Sequence, residues 1–251
     1  MIRGPYTGGP SATGAVVETV ESLLGTSLLW QFDALSAVMK TASDGTGSQV
    51  ADGEPVGYIE PTGGTSSANA TQATSTKKPT YIANHNANGP AVTFDGSDDF
   101  LSVVDAVNMI PDNWYAIAHC ELTTGATLGT LLCRNTATPY DRLLWASTLK
   151  FELVNTATPA TNLYLDEADT VGVETTILGL AKAGRFLIQS NNNCRGWTTG
   201  NPVPASSGTW TIGALYNGTQ CAKIALRRLI IGDADETTAA NIERAKLLLQ
   251  G

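Results

Sequence analysis

The stretch Pro90–Ser102 decides the fold class and reads Pro-Ala-Val-Thr-Phe-Asp-Gly-Ser-Asp-Asp-Phe-Leu-Ser. Apolar Val92 and Phe94 alternate with Thr93, and a second apolar pair follows the acidic residues. Because alternate side chains of a strand share one face, the pattern predicts a hairpin of two strands joined by a tight turn. Gly96 suits the turn, since a residue without Cβ accepts positive φ. The stretch therefore predicts antiparallel β-structure.

Two further segments extend this pattern upstream, Ala70-Thr71-Gln72-Ala73 and Lys78-Pro79-Thr80-Tyr81. With the central stretch they resemble the opening of concanavalin A-like (laminin G-like) jelly-roll domains found in bacteriophage virion proteins. The resemblance covers Leu29–Ser102, and beyond it only the general strand pattern agrees. Family members often carry a Trp-Asp-x-Ser-Gly signature, which Tyr58–Gly63 lacks. The resemblance implies a β-sandwich closed by a short C-terminal helix.

Length and charge narrow the classes of protein. The chain has 251 residues, which suits one large all-β domain. Its net charge is −8 and only 15% of its residues are charged. A nucleic-acid partner requires a basic footprint, so we expect none. A hydrophobic content of 42% excludes a disordered chain.

The four cysteines, Cys120, Cys133, Cys194 and Cys221, are widely separated. They form no Cys-x-x-Cys motif, and the chain has only two histidines, so the spacing argues against a zinc site. Two interpretations stay open. The cysteines are reduced, buried small hydrophobes, or Cys120 and Cys133 pair across neighbouring predicted strands.

Targeting signals are not evident in the sequence. The N-terminus lacks the basic start and apolar core of a signal peptide. No run approaches the roughly 20 apolar residues of a membrane span. Assembly in a host cytoplasm, followed by release in a virion, agrees with both observations and is the expected localisation.

We predict two regions, an N-terminal arm over residues 1–27 and a β-sandwich over residues 28–251. The arm is Gly/Pro-rich up to Gly14, and Ala15–Leu24 then has apolar residues at helical spacing. So short a helix is unstable alone, so it must pack on something. Two alternatives are open. In the first, the helix packs on its own domain. In the second, it docks the chain to a neighbouring subunit or to a larger particle.

After the central stretch, short apolar segments recur between turn residues, as in a sandwich or barrel. In the last of them, Ile224, Leu226 and Ile230 should face one way and Lys223, Ala225 and Arg227 the other. A helix should start at Asp235, with Glu236 and Lys246 placed favourably for the helix dipole. The predicted strands are Leu28–Phe32, Trp114–Leu122, Leu128–Cys133, Arg142–Ala146, Lys150–Val154, Val171–Leu180, Arg185–Ser190, Cys194–Thr198, Trp210–Leu215 and Ala222–Ile231.

No catalytic set is evident, and we expect no enzyme. Related jelly-roll glucanases place paired carboxylates on one strand face, but the nearest approach, Glu167-Ala168-Asp169, looks like a loop, with Glu174 the next acid. Gly-x-Ser-x-Gly is absent. His85 in a polar loop and His119 within a strand are predicted to be satisfied by local hydrogen bonds rather than catalytic.

Asp95, Asp98 and Asp99 form the candidate metal site. Three carboxylates within five residues offer the oxygen ligands that Ca²⁺ prefers. The same residues also suit a turn without any ion, and their spacing does not match an EF-hand. Calcium is therefore the one cofactor we consider, and a turn alone is the alternative.

Trp197 is the candidate platform for a sugar. Glycan sites combine an aromatic ring with polar groups, and Asn192, Asn193 and Arg195 lie beside Trp197 at a predicted loop-to-strand edge. Trp114, Trp145 and Trp210 are also available. Against this, tryptophan in a β-sandwich is more often part of the core.

Two functional hypotheses follow. The first is a non-enzymatic structural protein exposed on a bacteriophage particle, as a capsid decoration, head fibre or tail fibre. The resemblance implies it, with other virion proteins as partners through the arm and a homo-oligomer, most often a trimer. The second is a carbohydrate-binding adhesin that recognises a host surface polysaccharide. A fibre can do both.

Overall fold

The computed structural model describes the backbone of the following residues: 18–105, 107–123, 129–134, 141–146, 150–155, 161–166, 172–183, 185–191, 193–197 and 208–250. Their strands form two antiparallel β-sheets. The chain is therefore an all-β sandwich, as the sequence predicts.

Sheet A has eight strands among the described residues. Its order is β15-β14-β13-β8-β17-β6-β5, and β1 pairs with the second half of β17. Its strands are β1 (Leu28–Asp33), β5 (Thr80–Ile82), β6 (Ala91–Asp95), β8 (Trp114–Leu122), β13 (Glu174–Lys182), β14 (Arg185–Gln189), β15 (Cys194–Trp197) and β17 (Lys223–Asp233).

Sheet B has nine described strands in the order β12-β11-β10-β9-β16-β7-β4-β3-β2. Strand β12 was not predicted, although three of its six residues are apolar, and neither were the short strands β2 to β5. These strands are β2 (Met39–Lys40), β3 (Tyr58–Ile59), β4 (Ala70–Thr71), β7 (Leu101–Val104), β9 (Gly129–Arg134), β10 (Asp141–Ala146), β11 (Lys150–Asn155), β12 (Thr161–Asp166) and β16 (Thr209–Ile212).

The main core lies between the two sheets and is built by alternation along each strand. Trp114, Ala116, Ala118, Cys120 and Leu122 of β8 all belong to it. Because strand side chains alternate, the residues between them point to the outer face of sheet A.

Two helices cover part of that outer face. α1 (Val20–Leu24) is capped by Thr19, and α2 (Ala239–Leu249) is capped by Thr238. Both helices contribute to a second apolar cluster over sheet A. Ile242, Ala245 and Leu249, which share one face of α2, are buried in it. The described part of the predicted N-terminal helix therefore packs on its own domain.

Three details of the C-terminal helix differ from the prediction. It begins at Ala239, four residues after the predicted start, because Thr238 provides the cap. Glu236 therefore precedes the helix and does not lie in its first turn. Lys246 lies in the last turn as predicted, but it is buried and donates to the carbonyl of Ser190 at 2.6 Å.

The central stretch is not the hairpin that the sequence predicts. Its two strands, β6 and β7, belong to different sheets, so the turn between them is an arch that crosses the sandwich. Gly96 has φ +80°, as the turn requires. Asp99 accepts a bond from the Asp95 amide at 3.0 Å and so closes the arch. Alternation predicts strands but not their partners, because pairing is decided by distant segments.

The predicted alternation of the last strand is broken by a bulge. The pairing of β17 with β8 shifts between Leu226 and Arg228. Leu226, before the bulge, packs in the main core. After the bulge Leu229 packs in that core, and Ile230 lies in the outer cluster. The prediction that Ile230 shares a face with Leu226 is therefore wrong, because one inserted residue reverses the face of every later side chain.

Candidate functional site

The outer face of sheet A changes from apolar to polar along β8. Tyr115 and Ile117 lie in the apolar cluster that the helices cover. The next outward residues are His119 and Glu121, beyond that cluster. The neighbouring strand β13 follows the same change, since Thr176 pairs with His119 and Glu174 pairs with Glu121. Antiparallel register thus gathers four polar side chains on one patch.

His119 joins this patch through both ring nitrogens. Its Nδ1 lies 2.9 Å from Thr176 Oγ1, and its Nε2 lies 3.4 Å from Glu174 Oε2. Burial lowers the pKa of His119, although the charge of Glu174 acts in the opposite direction. The imidazole is therefore neutral at pH 7. A proton on Nε2 faces the carboxylate, and Nδ1 accepts from the threonine hydroxyl.

Arg227, the inserted residue of the β17 bulge, links the patch to a neighbouring loop. Its Nε pairs with Glu174 Oε1. One terminal nitrogen donates to the carbonyls of Gly89 at 2.7 Å and Pro90 at 3.0 Å, and the other donates to the His85 carbonyl at 2.9 Å. The guanidinium is 93% buried, since its side chain is 7% exposed. It therefore holds the loop against the sheet.

The same loop covers Glu121. Asn86 donates to both carboxylate oxygens, at 2.8 and 2.7 Å, and His85 Nε2 lies 3.3 Å from Oε2. Asn86 and Ala87 have φ of +49° and +61°, a left-handed conformation that residues with a Cβ seldom adopt. The loop is thus held in a strained shape by its contacts with the sheet. Such strain is frequent at functional sites.

Beside this loop lies a cleft of about 320 Å³, which we call the sheet A cleft. Its floor is formed by His119, Glu174 and Arg227. The walls come from the end of β1 and the loop after it, from residues 88–90, from β17 and from the end of α2. They comprise Asp33, Leu35, Asn88, Gly89, Pro90, Arg228, Leu249 and Gln250. The cleft offers carboxylates, carbonyls and a neutral imidazole to a ligand that makes hydrogen bonds.

The predicted calcium ligands are close together in the arch between β6 and β7. One oxygen of each of Asp95, Asp98 and Asp99 lies within 4.8 Å of the others. Burial raises the pKa of Asp99 to about 6, and the charges of Asp95 and Asp98 add to the shift. Asp95 also accepts from the amides of Ser97 and Asp98, as a turn without an ion would. The geometry fits both interpretations.

The predicted sugar platform is only partly described. Trp197 and Arg195 lie in edge strand β15, and the structure describes their backbone. Asn193 is exposed, whereas Asn192 lies outside the described residues. The predicted surface around Trp197 therefore stays a prediction.

Two other tryptophans cannot serve as platforms. Trp114 and Trp210 are fully buried and pack edge to face, with ring centroids 5.5 Å apart. Their rings form part of the core between the sheets. The side chain of Trp145 lies outside the part of the chain that the structure describes.

The acidic pair considered for glycosidase chemistry, Glu167 and Asp169, also lies outside the described residues. Glu174, the next acid, belongs instead to the sheet A cleft. His85 and His119 are satisfied by nearby partners, as predicted, but those partners include two glutamates on the same patch. The patch was not predicted from the sequence. Its available signal was the outward pair His119 and Glu121 in an otherwise apolar strand.

None of the four cysteines, all of which the structure describes, forms a disulfide. Cys120 lies in sheet A and Cys133 in sheet B, and both are buried, so the predicted alternative of a disulfide between them is wrong. Burial raises the pKa of Cys120 to about 12. Cys194 is exposed, which the expectation of four buried thiols did not include.

Comparison with solved structures supports the fold. A variant of a GH54 α-L-arabinofuranosidase superposes with a TM-score of 0.64 and 10% identity, over 92% of this chain and 64% of that one. A Trypanosoma rangeli sialidase in complex with sialic acid superposes with a TM-score of 0.55 and 9% identity, over 86% of this chain and 36% of the sialidase. The chain thus spans less than two thirds of either protein.

A more distant likeness is to a carbohydrate-binding module, the CBM40 of a Ruminococcus gnavus sialidase bound to α2,3-sialyllactose. Its TM-score is 0.47 at 11% identity, over 60% of this chain and 95% of the module. No protein-family model and no curated protein matches the chain. Neither the arabinofuranosidase nor the Trypanosoma rangeli sialidase is named as part of a virus particle. In the described part of the chain, neither helix has the length and apolar character that a membrane crossing requires.

Proposed function

We propose that the chain is a carbohydrate-binding β-sandwich without catalytic activity of its own, and that it binds glycans in the sheet A cleft. The observation that carries this proposal is the polar floor of that cleft, His119, Glu174 and Arg227, beside the apolar cluster of the same sheet face. Glycan sites place a few convergent polar groups in a concave surface.

The fold adds support. The two structures with the higher TM-scores are named for enzymes that act on carbohydrates, an arabinofuranosidase and a sialidase. At 9–10% identity this likeness concerns the sandwich only. The site is therefore argued from the cleft itself. Its carboxylate, carbonyl and imidazole groups suit sugar hydroxyls, each of which can donate and accept a hydrogen bond.

A glycan array tests the proposal with two variants. His119→Ala removes part of the cleft floor, and Trp197→Ala alters the other predicted surface. We expect His119→Ala to weaken binding at least about tenfold, which corresponds to roughly 1.4 kcal/mol, while Trp197→Ala leaves it unchanged. Unfolding curves of both variants establish that they are folded. The reverse result would move the site to strand β15.

An assay for newly formed reducing ends, run on the glycans that bind, tests the absence of catalysis. We expect no release of sugar. Turnover that disappears in Glu174→Gln would overturn the non-enzymatic part of the proposal and identify Glu174 as a catalytic acid or base.

The location on a bacteriophage particle rests on the resemblance of Leu29–Ser102 to virion proteins and remains a proposal, as does the trimer. Immunogold labelling of intact particles from the source, with antibody against Phe94–Gly251, tests the location. Label over the head or at the tail tip supports it and distinguishes decoration from host contact. Absence of label on every particle would point to a free glycan-binding protein.

A further inference from the structure

We infer that the sheet A cleft binds uncharged glycans and discriminates against glycans that carry carboxylate or sulfate groups. This inference rests on the proposed function of the same cleft. Its basis is that the arginines of the cleft are already paired with groups of the protein, and that two carboxylates, of Asp33 and Glu174, line the same cleft.

Arg227 is the more buried of the two cleft arginines. Its Nε pairs with Glu174, and its terminal nitrogens donate to the carbonyls of His85, Gly89 and Pro90. A ligand carboxylate could reach this guanidinium only by displacing Glu174 or the loop. Because the guanidinium is buried, displacement would leave a buried carboxylate or a set of carbonyls without a donor.

Arg228 is engaged in a similar way at the cleft wall. Its Nε lies 3.1 Å from Asp33 Oδ2, and its Nη1 donates to the Leu249 carbonyl at 3.3 Å. This arginine is more exposed than Arg227, with 29% of its side chain accessible. It is therefore the group that an anionic ligand would approach first, and Asp33 already neutralises it.

The remaining groups of the cleft include hydrogen-bond acceptors and a neutral imidazole. Asp33 and Glu174 contribute carboxylates. His119 adds no positive charge, because burial lowers its pKa. An anionic ligand would therefore meet two carboxylates and two arginines that are already paired, on a chain of net charge −8. A hydroxyl group can donate to these carboxylates without displacing either arginine.

The test uses glycans that differ in charge on a shared core. Binding of the full-length chain is measured by calorimetry with lactose and sialyllactose, and on an array of neutral and uronic-acid oligosaccharides. We expect every glycan that binds to be uncharged, with acidic counterparts at least about tenfold weaker. Tighter binding of acidic glycans would overturn the inference while leaving the proposed function intact. Absence of binding to any glycan would overturn both.

Glu174→Gln provides a sharper test, because it leaves the Arg227 guanidinium without its carboxylate. We expect this variant to lose affinity for the neutral ligand and to gain at least about tenfold for its acidic counterpart. Glu60→Gln is the matched control, since Glu60 is exposed at the end of β3 and outside the cleft. Should Glu174→Gln fail to fold, Asp33→Asn releases Arg228 in the same way. No gain for acidic glycans in a folded variant would overturn the inference.

Discussion

At the scale of single residues, the molecule uses buried charge in two different ways. The guanidinium of Arg227 is held by one carboxylate and three carbonyls, and so fixes the loop around His85. The carboxyl of Asp99 is 7% exposed and has a backbone amide as a donor but two other carboxylates beside it. Burial and these neighbours disfavour its ionised form.

The pH dependence of stability follows from Asp99. Its pKa is raised from 3.8 to about 6 in the fold, mainly by burial. Between these two values the folded chain binds more protons than the unfolded chain, so the free energy of unfolding falls as pH rises from about 4 to about 6. In Asp99→Asn this part of the dependence should disappear. Denaturant titrations at several pH values measure the difference, and parallel curves for the two proteins would contradict the assignment.

Calcium should act on the same cluster. A cation among Asp95, Asp98 and Asp99 favours the ionised carboxylates, so added Ca²⁺ should raise the Tm at pH 7 and EDTA should reverse the increase. Asp98→Asn should lose the response, whereas Asp112→Asn, an exposed position outside the cluster, should keep it. A melting curve of the wild-type chain that does not respond to Ca²⁺ or EDTA would leave the turn as the sole role of these residues.

At the scale of elements, strand β17 and helix α1 determine what the outer face of sheet A can bind. The bulge in β17 inserts Arg227 and brings two consecutive arginines to the cleft. Further along the same face, helix α1 makes the surface apolar instead, because Val20 and Leu24 cover the sheet there. The polar patch is therefore the part of the face that the helices leave uncovered.

The short helix α1 should contribute to the stability of the whole sandwich. Leu24 is 3% exposed in the cluster under both helices. Leu24→Ala should lower the free energy of unfolding by about 3 kcal/mol, because it leaves a cavity in this cluster. Leu247→Ala is the matched control, since Leu247 on α2 is 62% exposed, and a change within about 0.5 kcal/mol is expected. Denaturant unfolding measures both free energies. An equally small change for the two variants would show that α1 is dispensable.

This packing also changes how the predicted anchoring arm is tested. Residues 1–27 are predicted from the sequence to be a unit separate from the sandwich, and that division remains a prediction. Deleting Met1–Gly25 would remove Val20 and Leu24 and uncover the sheet, so lost assembly could reflect lost stability. A deletion that stops at Val17 keeps the helix and tests docking alone.

At the scale of the whole molecule, the net charge of −8 and the paired cations of the cleft have a measurable consequence. Binding of an uncharged glycan involves no long-range attraction, so salt should not weaken it by screening. We expect the Kd for the preferred glycan to change by less than about threefold between roughly 50 and 500 mM NaCl. Titration calorimetry at the two salt concentrations measures this. A steep loss of affinity with salt would indicate that an unpaired charge of the protein recognises the ligand.

Much of the fold could be predicted because the information is local. Trp114–Leu122 has the same bounds in the structure as in the prediction, and Glu174–Lys182 overlaps the predicted strand. A strand depends on alternation and on turn residues within about ten positions of the chain. The same local rule predicted a hairpin around Gly96 that the structure replaces with an arch. The turn was visible in the sequence, but the sheet that each strand would join was not.

What the sequence alone determined is the class of the molecule: an all-β chain of alternating strands with a C-terminal helix and a cluster of acids at one turn. Only the tertiary structure decided that His85, His119, Glu174 and Arg227 meet on one sheet face. These residues lie up to 142 positions apart, and their encounter depends on strand register and on one inserted residue in β17. Strand register depends on packing the apolar faces of both sheets against each other, and those faces come from distant parts of the chain. No local pattern of residues therefore predicts it.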